Sequence, residues 1–234
     1  MDPKTLLTTT ALMSTTVLLT TTAMLATAAL SAAKAAPPLS HEGAVSPARL
    51  PPSGLTTLYD QTGRTSGLGI VSQNFESSFD AYDCEAADDF IVPDGVKWRI
   101  KEVDILGTTF DGSGQADSMN VLFFKNRNGV PGRPKGAFEG VMARQHFGDI
   151  AVPLKPSVTL KPGHYWLAFQ VNENFSSDGE WGWMVRDDQV NLPSVWRNPG
   201  GGFGTGCTDW GNEQECLGLG GDHMFVLRGQ ALDM

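Results

Sequence analysis

Trp98-Arg99-Ile100-Lys101-Glu102-Val103-Asp104-Ile105 alternates apolar and polar residues over eight positions, broken only at Lys101-Glu102. Successive side chains of a strand point to opposite faces, so this stretch predicts a β-strand with one buried face and one wet face. Downstream, Val121-Leu122-Phe123-Phe124 is a continuous apolar run, as a strand covered on both faces requires. Asn128-Gly129 and Pro131-Gly132 then mark a turn. Further short strands are expected at 141–143, 150–154, 158–160, 165–171, 181–185 and 224–227. No stretch beyond the N-terminus carries apolar residues at helical spacing for long enough to make a helix. Nine or ten short strands with turn signals at this interval indicate an all-β fold, an antiparallel β-sandwich or jelly roll.

Composition agrees with that reading. The 234 residues include 27 Gly and 14 Pro, are 41% hydrophobic and only 18% charged. The net charge of −9 repels phosphate backbones, which excludes nucleic acid as a natural partner. The N-terminus has Lys4 and then no charge from Leu6 to Ala33, and it ends in Ala33-Lys34-Ala35-Ala36-Pro37. This is the layout of a cleaved signal peptide over 1–35, diluted in Thr and ending in small residues. Residues 36–53, rich in Pro, Ala and Ser, read as a disordered linker, which leaves 54–234 as one domain. The expected location is therefore extracellular or periplasmic, with no membrane span after cleavage.

An oxidising compartment gives the three cysteines a meaning. Cys207 and Cys216 stand nine apart in a Gly-rich stretch and are expected to form a disulfide, a short staple worth about 2–3 kcal/mol. Cys84 is then the free thiol.

Three segments recur in a familiar order. They are Ala86-Ala87-Asp88-Asp89-Phe90-Ile91-Val92-Pro93, Leu160-Lys161-Pro162-Gly163-His164-Tyr165-Trp166-Leu167 and Asp222-His223-Met224-Phe225-Val226-Leu227-Arg228-Gly229. In this the chain resembles, over about residues 55 to 230, the β-sandwich domains of secreted bacterial exoproteins. The resemblance implies fold and compartment and brings no activity with it.

Four groups of residues are candidates for chemistry or binding. Glu102 and Asp104 share a strand face and resemble the E-x-D-x-x-E strand of laminarinase-type glycoside hydrolases, except that Gly107 stands where the third carboxylate belongs. They are either a reduced hydrolase pair or the polar face of an amphipathic strand. Asp83, Glu85, Asp88 and Asp89 are dense enough in oxygen ligands for a structural Ca²⁺, with Asp222 as a further ligand if the fold brings it near. The alternative is a solvated acidic loop. His41, His146, His164 and His223 show no metal spacing. Trp181 and Trp183, two apart, would share one strand face, and Trp196 and Trp210 flank a Gly-rich loop. These four rings form either a binding platform for sugar rings or core packing. The favoured function is a non-catalytic binding module for polysaccharide, using Trp181, Trp183, Trp196 and Trp210. The alternatives are a cell-surface accessory protein that binds another protein, and a hydrolase.

Overall fold

The computed structural model describes residues 35–43, 50–112 and 115–234. Nearly all of the expected leader, and residues 44–49 of the expected linker, lie outside the described residues. In chain order the strands are β1 (Ser40–Glu42), β2 (Thr56–Asp60), β3 (Thr65–Val71), β4 (Gln73–Asn74), β5 (Glu85–Val92), β6 (Val96–Ile105), β7 (Gly107–Phe110) and β8 (Ser118–Arg127). They continue with β9 (Val130–Val141), β10 (Arg144–His146), β11 (Asp149–Leu160), β12 (Gly163–Asn172), β13 (Glu180–Arg186), β14 (Val195–Arg197), β15 (Gly211–Asn212), β16 (Asp222–His223) and β17 (Phe225–Asp233). Two single-turn helices, α1 (Phe175–Asp178) and α2 (Glu213–Leu217), and a 3-10 turn at Ser77–Tyr82 complete the described elements.

Among the described residues the fold is an all-β sandwich of three sheets with no closed barrel. One sheet runs β1-β3-β13-β16 with β7 also on β13, a second runs β10-β11-β6-β17-β2, and the third runs β15-β14-β5-β12-β8-β9 with β4 on β12. Aromatic side chains join the third sheet to the other two. Phe90 of β5 stacks on Trp98 of β6 and meets Phe225 of β17 edge-on, while Phe169 of β12 meets Trp181 and Trp183 of β13 at 5.2 and 5.8 Å. The faces follow the pleat. In β5, Ala86, Phe90 and Val92 enter this core, and Ala87 on the other face packs with Trp166, Ala168 and Val195 in a second cluster. In β8, Val121 and Phe123 face the main core while Leu122 and Phe124 lean on the second cluster. That double covering is why the run is apolar without alternation.

The deciding stretch, 98–105, is one strand with a phase slip inside it. Trp98 and Ile100 are buried, and so are Val103 and Ile105, although the two pairs differ in parity. Ile100 opposes Gly229 and Glu102 opposes Arg228 on β17, so Lys101 is the extra residue of a β-bulge. The bulge keeps both apolar pairs on the core face.

Two expectations are refined here. Part of the segment expected to be disordered linker forms β1, with Ser40, His41 and Glu42 opposite Ile70, Gly69 and Leu68. Pairing with the otherwise bare edge of β3 supplies backbone hydrogen bonds that composition does not reveal. Cys207 and Cys216 form the disulfide, and Cys84 is a buried free thiol whose ionisation is pushed well above the ordinary thiol range by burial. Among the described residues no helix is long and apolar enough to cross a membrane.

Candidate functional site

The tryptophans expected to form a platform are mostly core. Trp181, Trp183 and Trp196 are at most 1% exposed. Each ring N–H is satisfied inside the protein, by the carbonyls of Gly148, Met224 and Val71 at 2.8–3.0 Å. Trp181 and Trp183 do share a face, but it is the inner one. Only Trp210 is half-exposed, with the Arg197 guanidinium 4.4 Å above its ring. The expected four-ring platform is corrected accordingly: the Gly-rich loop folds back, with Phe203 edge-on to Trp196.

Glu102 and Asp104 do stand side by side on the outer face of β6, and each has a cationic partner. Arg144 approaches Glu102 at 3.4 Å and the Arg228 Nε donates to Asp104. Burial raises the Asp104 carboxyl above the ordinary range, while the Arg228 bond opposes the rise. The neighbouring cavity is only about 50 Å³, too small for a sugar ring. Gly107, where a hydrolase strand would carry its third carboxylate, lies flat against Trp181. A Cβ there would sit 2.3 Å from the indole, so packing forbids any side chain at this position.

The acidic cluster separates. The Asp83 side chain accepts the Phe75 N–H at 2.8 Å, and Glu85 is ion-paired with Arg197. Asp88 and Asp89 are fully buried on opposite faces of β5. Asp88 accepts from Gln61 Nε2 and from the His223 and Asp89 N–H groups, and Asp89 accepts from the Leu192 N–H and pairs with His164. Asp222 does come near: it and Asp89 both add to the charge repulsion felt by Asp88. Asp222 also accepts the Val190 N–H. The group thus anchors the 187–193 connection. Burial and mutual repulsion raise the Asp88 and Asp222 carboxyls, the latter to about 6. Behind Asp222, Ser194 donates to Glu213 at 2.7 Å and Glu213 meets His223 Nε2 at 3.0 Å. The order is serine, carboxylate, histidine, so the imidazole does not contact the hydroxyl that it would have to deprotonate in a nucleophilic triad.

A different cleft has the attributes of a binding site. Strands β10 and β11 are joined by a two-residue turn, Phe147-Gly148, with His146 opposite Asp149. Both turn residues have positive φ, 49° and 90°. That is the type I′ pattern that Asn-Gly satisfies with least strain. Gly148 is required twice over, since a Cβ there would also sit 2.6 Å from the Gly107 carbonyl. Phe147 has no such justification. A bulky residue in the left-handed region is a strained outlier, costing on the order of 1–3 kcal/mol, and its ring is 72% exposed. Beside it lies a cavity of about 380 Å³ lined by Thr109, Gln115, Gln145, His146, Phe147 and the edge of Trp181. The walls are braced. The Gln145 amide bonds both the N–H and the carbonyl of Ala116, at 3.0 and 2.8 Å, Trp181 Nε1 holds Gly148, and His146 packs edge-on to Phe147 at 4.4 Å. Sequence reading missed this site because its weight went to tryptophan. The available signal was a phenylalanine standing directly before a turn glycine, where asparagine is favoured.

Comparison with family models, with curated proteins and with solved structures finds no match to this chain.

Proposed function

We propose that this protein is an exported, non-catalytic binding module whose ligand class is polysaccharide and whose contact face is the cleft beside Phe147. The observation that carries the reading is the exposed, backbone-strained Phe147 ring next to a braced cavity of ligand size. Strain of this kind persists where the surroundings enforce it, and it concentrates at functional positions. A flat ring accepts the C–H face of a sugar, and Thr109, Gln115 and His146 offer hydroxyl, amide and imidazole groups for its hydroxyls. Export rests on the uncharged leader and is supported by the Cys207–Cys216 disulfide. N-terminal sequencing of protein from the culture medium is expected to begin near Ala35 or Ala36, and secreted material that still begins at Met1 would remove the leader from the argument.

Phe147→Asn separates binding from folding because the two effects have opposite signs. Asn-Gly relaxes the turn, so the melting temperature is expected to hold or rise by a few degrees. Loss of the ring is expected to weaken retention on insoluble polysaccharide at least tenfold, the effect of removing an aromatic anchor of about 1.4 kcal/mol or more. A variant retained as well as the wild type would sink the cleft as the binding face.

A further inference from the structure

We infer that His41, Asp111 and Glu180 form a binding site for one divalent transition-metal ion, with Zn²⁺ the natural occupant, on the outer face of the sheet that contains β1, β3, β13 and β7. The three residues come from separate parts of the chain. His41 is the middle residue of β1, Glu180 opens β13 opposite Phe110 of β7, and Asp111 follows Phe110 directly. One ligand atom from each lies within 4.8 Å of the other two.

Local geometry converges on that point. Trp181 and Trp183 fill the core, so Glu180 and Gly182 lie on the opposite face of β13, where both are buried. Gly182 leaves room for the Phe110 ring, since a Cβ there would sit 2.9 Å from the ring edge. The His41 imidazole stacks on Phe110 with centroids 4.0 Å apart, which holds the imidazole beside the end of β7, where Asp111 begins.

The His41 Nε2 atom is the second observation. It is buried from solvent, makes no hydrogen bond, and faces Asp111 Oδ2 at 3.7 Å. A charge-assisted N–H···O bond closes to about 2.7–2.9 Å, so this pair is too far apart to be one. Two ligands of one tetrahedral zinc, each bonded at about 2.0–2.2 Å, stand roughly 3.4 Å apart, close to the observed gap. Glu180 contributes a fully buried carboxylate as the third ligand. One imidazole nitrogen with two carboxylates suits Zn²⁺, Co²⁺ or Mn²⁺, whereas Ca²⁺ takes six to eight oxygens. An ion here would tie the three-residue β1, just behind the expected cleavage point, to the body of the sheet.

The test uses the full exported chain, stripped with chelator and titrated with Zn²⁺ by calorimetry and with Co²⁺ by visible absorption. One ion per chain is expected, with a melting temperature that rises by several degrees in excess Zn²⁺, because a ligand bound only to the native state stabilises it. His41→Ala and Asp111→Asn, at the two partly exposed positions, are each expected to weaken binding at least tenfold. Both should leave the metal-free melting temperature within about a degree of the wild type, and His41→Ala should change the Co²⁺ spectrum. Absence of stoichiometric binding, or binding by either variant as tight as the wild type's, overturns the site. Neither readout depends on polysaccharide retention.

Discussion

Trp183→Ala is expected to lower the free energy of unfolding by about 3–5 kcal/mol, the range for deleting a large aromatic from a closed core. The ring is fully buried, stacks on the His223 imidazole at 4.5 Å, and touches Phe169 and Phe225 edge-on. Its N–H donates to the Met224 carbonyl at 3.0 Å, so truncation opens a cavity and also removes one of the two hydrogen bonds that this carbonyl accepts, the Leu106 N–H remaining. Trp210→Ala is the contrast. That ring is half-exposed and covered mainly by Arg197 and Phe124, so its loss is expected to cost no more than about 1–2 kcal/mol. Chemical denaturation of the two variants measures the difference. Equal destabilisation would contradict the assignment of Trp183 to the core and Trp210 to the surface.

Stability is expected to fall as pH rises from 5 to 7.5, the reverse of ordinary acid denaturation. Burial is the first cause for each group concerned. Asp88 is raised well above the ordinary range with help from Asp222 and Asp89, Asp222 is raised to about 6, and Glu173 to about 7 with help from Asp178 and Asp117. A carboxyl raised in the folded state binds protons there that the unfolded chain has already released. Its contribution is therefore fully present below about pH 4 and is lost as pH climbs through the raised value. For Asp222 the window runs from about 4 to about 6. After allowance for solvent screening this is on the order of 1–2 kcal/mol. Asp222→Asn keeps an acceptor for the Val190 N–H and removes the charge, so its melting profile is expected to be flatter across pH 5–7.5. A wild-type melting temperature that rises over this interval, with the same slope in Asp222→Asn, would refute the account.

The fold was legible where periodicity and burial coincide. Alternation at 98–105 and the unbroken run at 121–124 predicted strands of two kinds, and both exist for the reason that the pattern implies. The Cys207–Cys216 pairing was likewise local, since a separation of nine residues keeps the two thiols close along the chain. The Lys101 bulge left a trace in the sequence, the adjacent polar pair Lys101-Glu102 between apolar pairs of opposite parity, and the pairing of Ile100 with Gly229 and of Glu102 with Arg228 shows that this break is a bulge inside one strand.

Sites were much less legible, and the reason is contact order. Trp181 and Trp183 share a face by strand periodicity alone, but periodicity does not say whether that face meets solvent or Phe169. Asp83, Glu85, Asp88 and Asp89 are neighbours in sequence, yet the pleat of β5 sends Asp88 and Asp89 to opposite faces, and each of the four is engaged by a different partner, local for Asp83 and distant in the chain for the other three. His41, Asp111 and Glu180 lie 70 and 69 residues apart along the chain, and only sheet pairing brings them within 4.8 Å of one another. By itself the sequence determined strand identity and the staple, both of which depend on side chains a few positions apart. Which aromatic faces water, which carboxylates meet and which histidine finds them were decided by tertiary structure, because those properties depend on strands paired across the whole domain.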